Sequence, residues 1–228
     1  MSFINSNLLG VHNLLEIIKN KKITNLLHSW NYTPPLFFQV STDEVFGDIL
    51  EGAFTEDARH CPSNPYSATK SAAEQLIQAW GRTYGIPWMI SRTTNNYGHR
   101  QHPEKLIPSA ITKLLNGEKV IVHGDGRYMR NWVHVEDHVN GIWRAIDEGE
   151  LSNVYHFASE EEFSVREIVE MVCGQFEKSF EENVDMSTDR SGVDVRYALN
   201  FEKAIKLGWK PTRNMAGSLP SLLKFYRD

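Results

Sequence analysis

The sequence predicts an α/β protein built on a parallel sheet, with its working residues at the carboxyl ends of the strands. Three observations predict it. Leu36-Phe37-Phe38-Gln39-Val40 is an almost continuous apolar run, of the kind found in a strand covered on both faces. A helical period over 66–84 follows it, and then a second strand-like run at 87–92, so helices and strands alternate. Both runs end in polar clusters, Ser41-Thr42-Asp43-Glu44 and Thr93-Thr94-Asn95-Asn96-Tyr97-Gly98, where ligands sit in open parallel sheets.

Composition bounds the function. The 228 residues suffice for one large domain or a domain and a half. An apolar content of 41% and a charged content of 23% are ordinary for a soluble globular chain. A net charge of -5 with no basic block implies no nucleic-acid partner. Cys61 and Cys173 are too few for a disulfide framework and read as thiols in a reducing cytoplasm. No apolar run approaches the ~18 residues of a membrane span, and the first residues lack the basic start and cleavage site of a signal peptide. No internal repeat or low-complexity tract is visible.

In chain order, residues 3–20 predict a helix, because Ile4, Leu8, Val11, Leu14, Leu15 and Ile18 recur at steps of three and four. The strand at 36–40 follows. Residues 45–64, with Gly47, Gly52 and Pro62, predict a long irregular loop folding over a site. The helix at 66–84 and the strand at 87–92 come next. Beyond residue 98 the rhythm loosens. It predicts a helix near 104–116, a strand at 119–122, a turn at Gly124-Asp125-Gly126, a helix near 136–148 and a strand at 154–157. Ser164-Val165-Arg166-Glu167 is a capping box opening another helix. Residues 189–192 read as a loop, and two short helices near 201–206 and 215–226 close the chain.

The chemistry concentrates between residues 41 and 70. Tyr66 and Lys70 are spaced i, i+4 and share a face at a helix start. A phenol with a pKa near ~10 is a poor base at neutral pH, and a nearby ammonium lowers that value. Tyr66 with Lys70 could then deprotonate an alcohol, with Thr42 sharing the hydrogen bond. That helps when hydride leaves the same carbon, which requires an acceptor such as nicotinamide. Asp43 and Glu44 can become an acid and a base if their surroundings push their pKa values apart. Taken singly, Tyr-x-x-x-Lys also occurs on ordinary helix surfaces, and Thr-Asp-Glu also caps turns. Their combination in this order is the specific signal.

With these residues the sequence resembles the extended short-chain dehydrogenase/reductase superfamily and, within it, the dTDP-glucose 4,6-dehydratase family. The matching segments are Ser41 to Asp48, Asn64 to Lys70, Asn95-Asn96-Tyr97-Gly98, Pro103 to Pro108, and Arg130-Asn131-Trp132 with Val135-Glu136-Asp137-His138. Asp189-Arg190 to Arg196-Tyr197 matches less well, and the resemblance runs essentially end to end. It implies the C-terminal part of a Rossmann-like NAD-binding domain over 1–98. A small α/β substrate-binding domain would occupy 99–228, with some strands returning to the first. It also implies a lyase mechanism. Tyr66, aided by Lys70 and Thr42, takes the C4 hydroxyl proton of a nucleotide-activated glucose while hydride moves to NAD. Glu44 removes the C5 proton, Asp43 protonates the leaving C6 hydroxyl, and hydride returns to C6. Thr42, Asn95, Lys105 and Leu106 would contact the substrate, and Arg130 and Arg190 its diphosphate. Ser6, Ser41 and Asn96, with Tyr66 and Lys70, would touch the cofactor. Related epimerases and decarboxylases share the Tyr–Lys pair but usually lack the acid at Asp43. Family members dimerise through two helices per subunit, here 3–20 and 66–84, so a homodimer is expected.

The sequence also departs from the family. Members open with a strand, a G-x-x-G-x-x-G loop and a helix, whereas residues 3–7 align with a helix deep inside that domain. The pyrophosphate loop and the acid for the adenosine ribose have no counterpart, and Gly124-x-Gly126 reads as a turn in the substrate half. Turnover and NAD binding by the chain alone are therefore not expected, and its sheet should carry an exposed edge. The family's R-P-G-H-D reads Arg190-Ser191-Gly192-Val193-Asp194, a common asparagine is His156, and an aromatic near the base is His123, which leaves the base open. Val135 to His138 matches a structural helix start, so the i, i+4 pair His134 and His138 is not expected to hold a metal. Three readings stay open. One is an enzyme portion completed by a complementary N-terminal chain, and another is an inactive remnant binding a sugar nucleotide or a partner. The third is a UDP-sugar epimerase or decarboxylase, against which Asp43 argues.

Overall fold

The computed structural model describes residues 2–28, 34–188 and 194–227. A π-helical turn at Ile4–Leu9 runs into α1 (Gly10–His28), followed by β1 (Phe37–Thr42), α2 (Pro65–Tyr84), β2 (Trp88–Thr93), β3 (Asn95–Tyr97) and α3 (Leu106–Leu115). Next come β4 (Val120–His123), β5 (Met129–His134), α4 (Val135–Glu148), β6 (Asn153–Phe157), β7 (Glu162–Ser164) and α5 (Val165–Gly174). The chain continues through α6 (Phe180–Asn183), β8 (Val184–Ser187), α7 (Glu202–Lys206) and α8 (Met215–Arg227).

The first sheet has the order β1-β2-β6 and is parallel throughout. Its faces explain the apolar runs that form it. On one face Phe37, Trp88 and Ile90 pack with Val11 and Leu15 of α1 and Ala73 and Ile77 of α2. On the other, Tyr155 and Phe157 pack with Ala145 of α4 and with Trp209. Among the described residues β1 forms one edge of this sheet, where Val40 is exposed. A second sheet has the order β3-β5-β7, and β4 pairs with β8. The largest apolar cluster lies under this half, joining Ile107 and Ile111 of α3, Ile168 and Val172 of α5, and Leu219 and Leu222 of α8. No helix among the described residues is long and apolar enough to cross a membrane.

Helix α2 begins and ends where its sequence dictates. Asn64 caps it in a reciprocal box with Ser67, Pro65 stands in its first turn, and Gly85 ends it in the left-handed conformation at φ 64°. The box expected at Ser164 and Glu167 also forms, with both of its bonds. The strand expected at 36–40 continues through Ser41 and Thr42, which pair with Arg92 and Thr93, so both hydroxyls belong to the sheet itself. Strands β7 and β8 and helix α6 are too short to show a period in sequence.

Candidate active site

The end of β1 and the start of α2 bring Thr42, Asp43, Glu44 and Tyr66 together, while Lys70, farther along α2, meets the backbone of β1. The Thr42 side chain accepts from the Glu44 backbone N–H at 3.3 Å and caps the 3-10 turn Asp43–Phe46. That turn sends the two carboxyls into different surroundings. Asp43 is 3% exposed; its Oδ1 accepts the Thr42 hydroxyl at 3.1 Å, and its Oδ2 has no partner. Burial, and then the charge of Glu44, pushes the Asp43 carboxyl from 3.8 up to about 7. Glu44 is half-buried and accepts from Asn64 Nδ2 at 3.2 Å. The residue that starts α2 thus also holds Glu44. Gly47 ends the turn at φ 77°, where a Cβ would lie 2.5 Å from the Cys61 carbonyl oxygen.

Tyr66 and Lys70 occupy the first turns of α2. Burial, then Glu44 and Asp43, push the Tyr66 phenol up to about 12, so both carboxyls lie close enough to act on it. Lys70 Nζ donates to the Val40 carbonyl at 2.6 Å. Burial draws its pKa down, and Glu74 opposes that. These surroundings differ from the expectation that the ammonium alone would hold the phenol low. The i, i+4 spacing gives a shared face, but Lys70 reaches to the edge carbonyl of β1, and desolvation dominates at Tyr66.

The remaining predicted contacts divide into two groups. Asn95, Lys105, Leu106 and Arg130 line one cavity of about 710 Å³, together with His123 and Tyr128. Arg130 Nη2 donates to the Asp194 carbonyl at 2.8 Å and Nη1 to the Met129 carbonyl at 2.6 Å, with the guanidinium 4.6 Å above the Tyr197 ring. Its charge also acts on Asp43, which links the cavity to the carboxyls. In the second group, the protein engages the side chains itself. Ser41 donates to Glu74 at 2.5 Å. Asn96 Nδ2 donates to Thr93 Oγ1 at 3.0 Å and to the Thr94 carbonyl at 3.1 Å, while its Oδ1 faces His138 Nδ1 at 3.0 Å. Ser6 is exposed and bonds to the Ser2 carbonyl, whereas its neighbour Asn7 reaches Thr69 on α2 at 3.1 Å. Arg190 and Val193 lie outside the described residues.

His134 caps α4 by accepting from the Glu136 N–H. Among the described residues no group of three or more His, Cys, Asp or Glu side chains could hold a metal. His156 is fully buried in the sheet and donates to the Asn200 carbonyl at 3.0 Å; burial and then Arg92 push its pKa down to about 3. Its replacement of asparagine therefore concerns the sheet, whereas His123 does line the cavity. Sequence reasoning missed the Asn64 tie, although Asn-x-x-Ser before a helix is a legible cap. It also missed buried Asp194, which accepts from the hydroxyls of Ser63 and Tyr197. Asp194 keeps the last position of the R-P-G-H-D motif and Tyr197 lies three positions on, but its partner Ser63 is 131 positions away.

The family model for GDP-mannose 4,6 dehydratase matches residues 1–219. A dTDP-glucose 4,6-dehydratase of Haemophilus influenzae is 38% identical over 237 residues, covering 98% of this chain and 70% of that protein. The low-salt glycan biosynthesis protein Agl12 of Haloferax volcanii is 38% identical over 224 residues, covering 98% and 68%. The crystal structure of DesIV, a dTDP-glucose 4,6-dehydratase of Streptomyces venezuelae with NAD bound, matches with a TM-score of 0.92 at 34% identity, covering 100% of this chain and 67% of that one. The chain thus spans about two thirds of the length of the proteins it matches.

Proposed function

Because the chain belongs to the GDP-mannose 4,6 dehydratase family, we propose that its site performs the dTDP-glucose 4,6-dehydratase reaction, turning a nucleotide-activated glucose into the 4-keto-6-deoxy sugar with loss of water. One observation carries this reading. Asp43 is a buried carboxyl with an unpartnered oxygen, pushed up to about 7, beside the half-buried Glu44. An enzyme that only inverts C4 has no use for such an acid.

In this reading Tyr66 takes the C4 hydroxyl proton, with Thr42 sharing the hydrogen bond. The C4 ketone acidifies C5, Glu44 receives that proton, and neutral Asp43 gives its own to the departing C6 hydroxyl. NAD, when bound, supplies a hydride acceptor at C4 and a hydride donor at C6. The described residues fit its nicotinamide end, because Tyr66 and Lys70 stand beside the carboxyl end of a parallel strand. No glycine-rich turn among them opens a helix toward the pyrophosphate. Asn95, Lys105 and Leu106 hold the sugar nucleotide in the cavity, and Arg130 and Arg190 meet its diphosphate. The free thiols of Cys61 and Cys173 suit the cytoplasm.

Liquid chromatography with mass detection tests the reading, on the chain joined by a complementary N-terminal fragment that carries a glycine-rich loop, with dTDP-glucose and saturating NAD. The expected product is lighter than its substrate by one water; a new chromatographic peak of unchanged mass would mean epimerisation, and no new peak would favour a sugar-nucleotide binder. The activity should fall above a midpoint near 7, as Asp43 loses its proton. Stability should respond with the matching sign. The folded pKa of Asp43 lies above the unfolded 3.8, so its contribution is complete below about 4 and is lost as pH rises through about 7. Urea unfolding of Asp43→Asn should lack that slope, and an unchanged slope would place the titration elsewhere.

The homodimer in this reading forms through α1 and α2. Leu14 and Ile17, three positions apart on α1, are 53% and 51% exposed while Val11 and Leu15 face the core. Light scattering should give twice the chain mass, and a Leu14→Glu, Ile17→Glu variant should give the monomer. A parent chain that stays monomeric at micromolar concentration would rule this interface out.

A further inference from the structure

Tyr66 and Lys70 have a third side chain in line with them. Glu74 stands one turn beyond Lys70 on α2 and is fully buried. Its carboxylate accepts from Arg92 of β2, with Nη2 at 2.7 Å and Nε at 3.1 Å, and from the Ser41 hydroxyl of β1 at 2.5 Å. Arg92 Nη1 donates to the Glu56 carbonyl at 2.8 Å and Nη2 to His60 Nε2 at 2.8 Å. His60 Nδ1 is then left to donate to Ser71 Oγ at 2.8 Å. A buried ion pair costs desolvation on both sides and is weak support for stability. Its place at the junction of α2, β1 and β2 calls for another reason.

We propose that Glu74 is a positioning residue for the Tyr66–Lys70 pair, holding the end of β1 against α2 and placing a carboxylate one turn from the Lys70 ammonium. The inference rests on the roles given to Tyr66 and Lys70 above. Burial drives Lys70 toward the neutral amine, and Glu74 supplies the opposing charge from the same helix. From β1, Lys70 meets the Val40 carbonyl. Asp43 and Glu44, in the turn after β1, face Tyr66. Arg92 from β2 and His60 from the preceding loop face Glu74. Glu74 thus acts through Lys70 and the end of β1 and not on the substrate.

Carbon-13 NMR of the Lys70 Cε reads its titration directly in the chain, without cofactor or turnover; the signal is identified by its loss in Lys70→Arg. The Glu74→Gln variant should lower the midpoint by about one pH unit. Because an uncompensated Arg92 can unfold that variant, Glu74→Gln, Arg92→Gln, neutral at both positions, is measured beside it and should lower the midpoint too. A midpoint unchanged in the folded variant overturns the inference. This readout stands apart from the product assay, so failure of the dehydratase reading and failure of the Glu74 role are distinguishable.

Discussion

Replacing Tyr66 with phenylalanine, in the chain completed by a complementary N-terminal fragment, should lower kcat for dTDP-glucose dehydration by about 10²–10⁴-fold, the usual worth of a positioned acid or base, with KM little changed. The substitution removes one oxygen and keeps the ring that meets Phe3 at 5.5 Å, so the helix start should survive. The effect is large because Tyr66 is the phenol on which both Glu44 and Asp43 act. The Tyr66 phenol is pushed up to about 12 by burial and by Glu44 and Asp43, so it needs a cation to work as a base. Lys70 is the cation on its own helix face. Equal kcat values for the two proteins would remove Tyr66 from the chemistry.

The largest expected effect on stability is at Arg92. Changing it to methionine leaves the fully buried Glu74 carboxylate without its bidentate partner, which typically costs about 3–5 kcal/mol. It also frees the Glu56 carbonyl and His60, loosening the loop that carries them. Urea denaturation should show the loss, and Glu74→Gln combined with Arg92→Met should lose less than the two single changes added together. A single variant within about 0.5 kcal/mol of the parent would mean that the pair is solvated and not the junction described above.

Local patterns made much of this legible. The apolar run at 36–40 marks β1 because both faces of the sheet are covered, by α1 and α2 on one side and α4 on the other. The Asn64 and Ser164 boxes are short-range chemistry, readable wherever such residues precede a helix. Asn95, Lys105, Leu106 and Arg130, set apart by the resemblance, line one cavity. What could not be read was the direction of individual side chains. Ser41 and Thr42 are neighbours at a strand end, yet alternation turns Ser41 to Glu74 and leaves Thr42 with Asp43. Asn96 looked free to meet a ligand, but its amide is spent on Thr93, Thr94 and His138, the last of them 42 positions away. Nothing in its local sequence sets Glu74 apart from a helix-surface acid, because its partner Arg92 lies 18 positions on.

Hydrogen exchange at C5 of the 4-keto-6-deoxy sugar nucleotide, followed by NMR in heavy water, tests the carboxyl pair most directly. It needs no hydride transfer, so only the chain's own residues act. Deuterium should enter C5 in the presence of the chain, should do so far more slowly with Glu44→Gln, and should still enter with Asp43→Asn, because taking the C5 proton does not require the acid. Exchange no faster than in buffer, with the nucleotide bound by calorimetry, would contradict the assignment of dehydratase chemistry to this site.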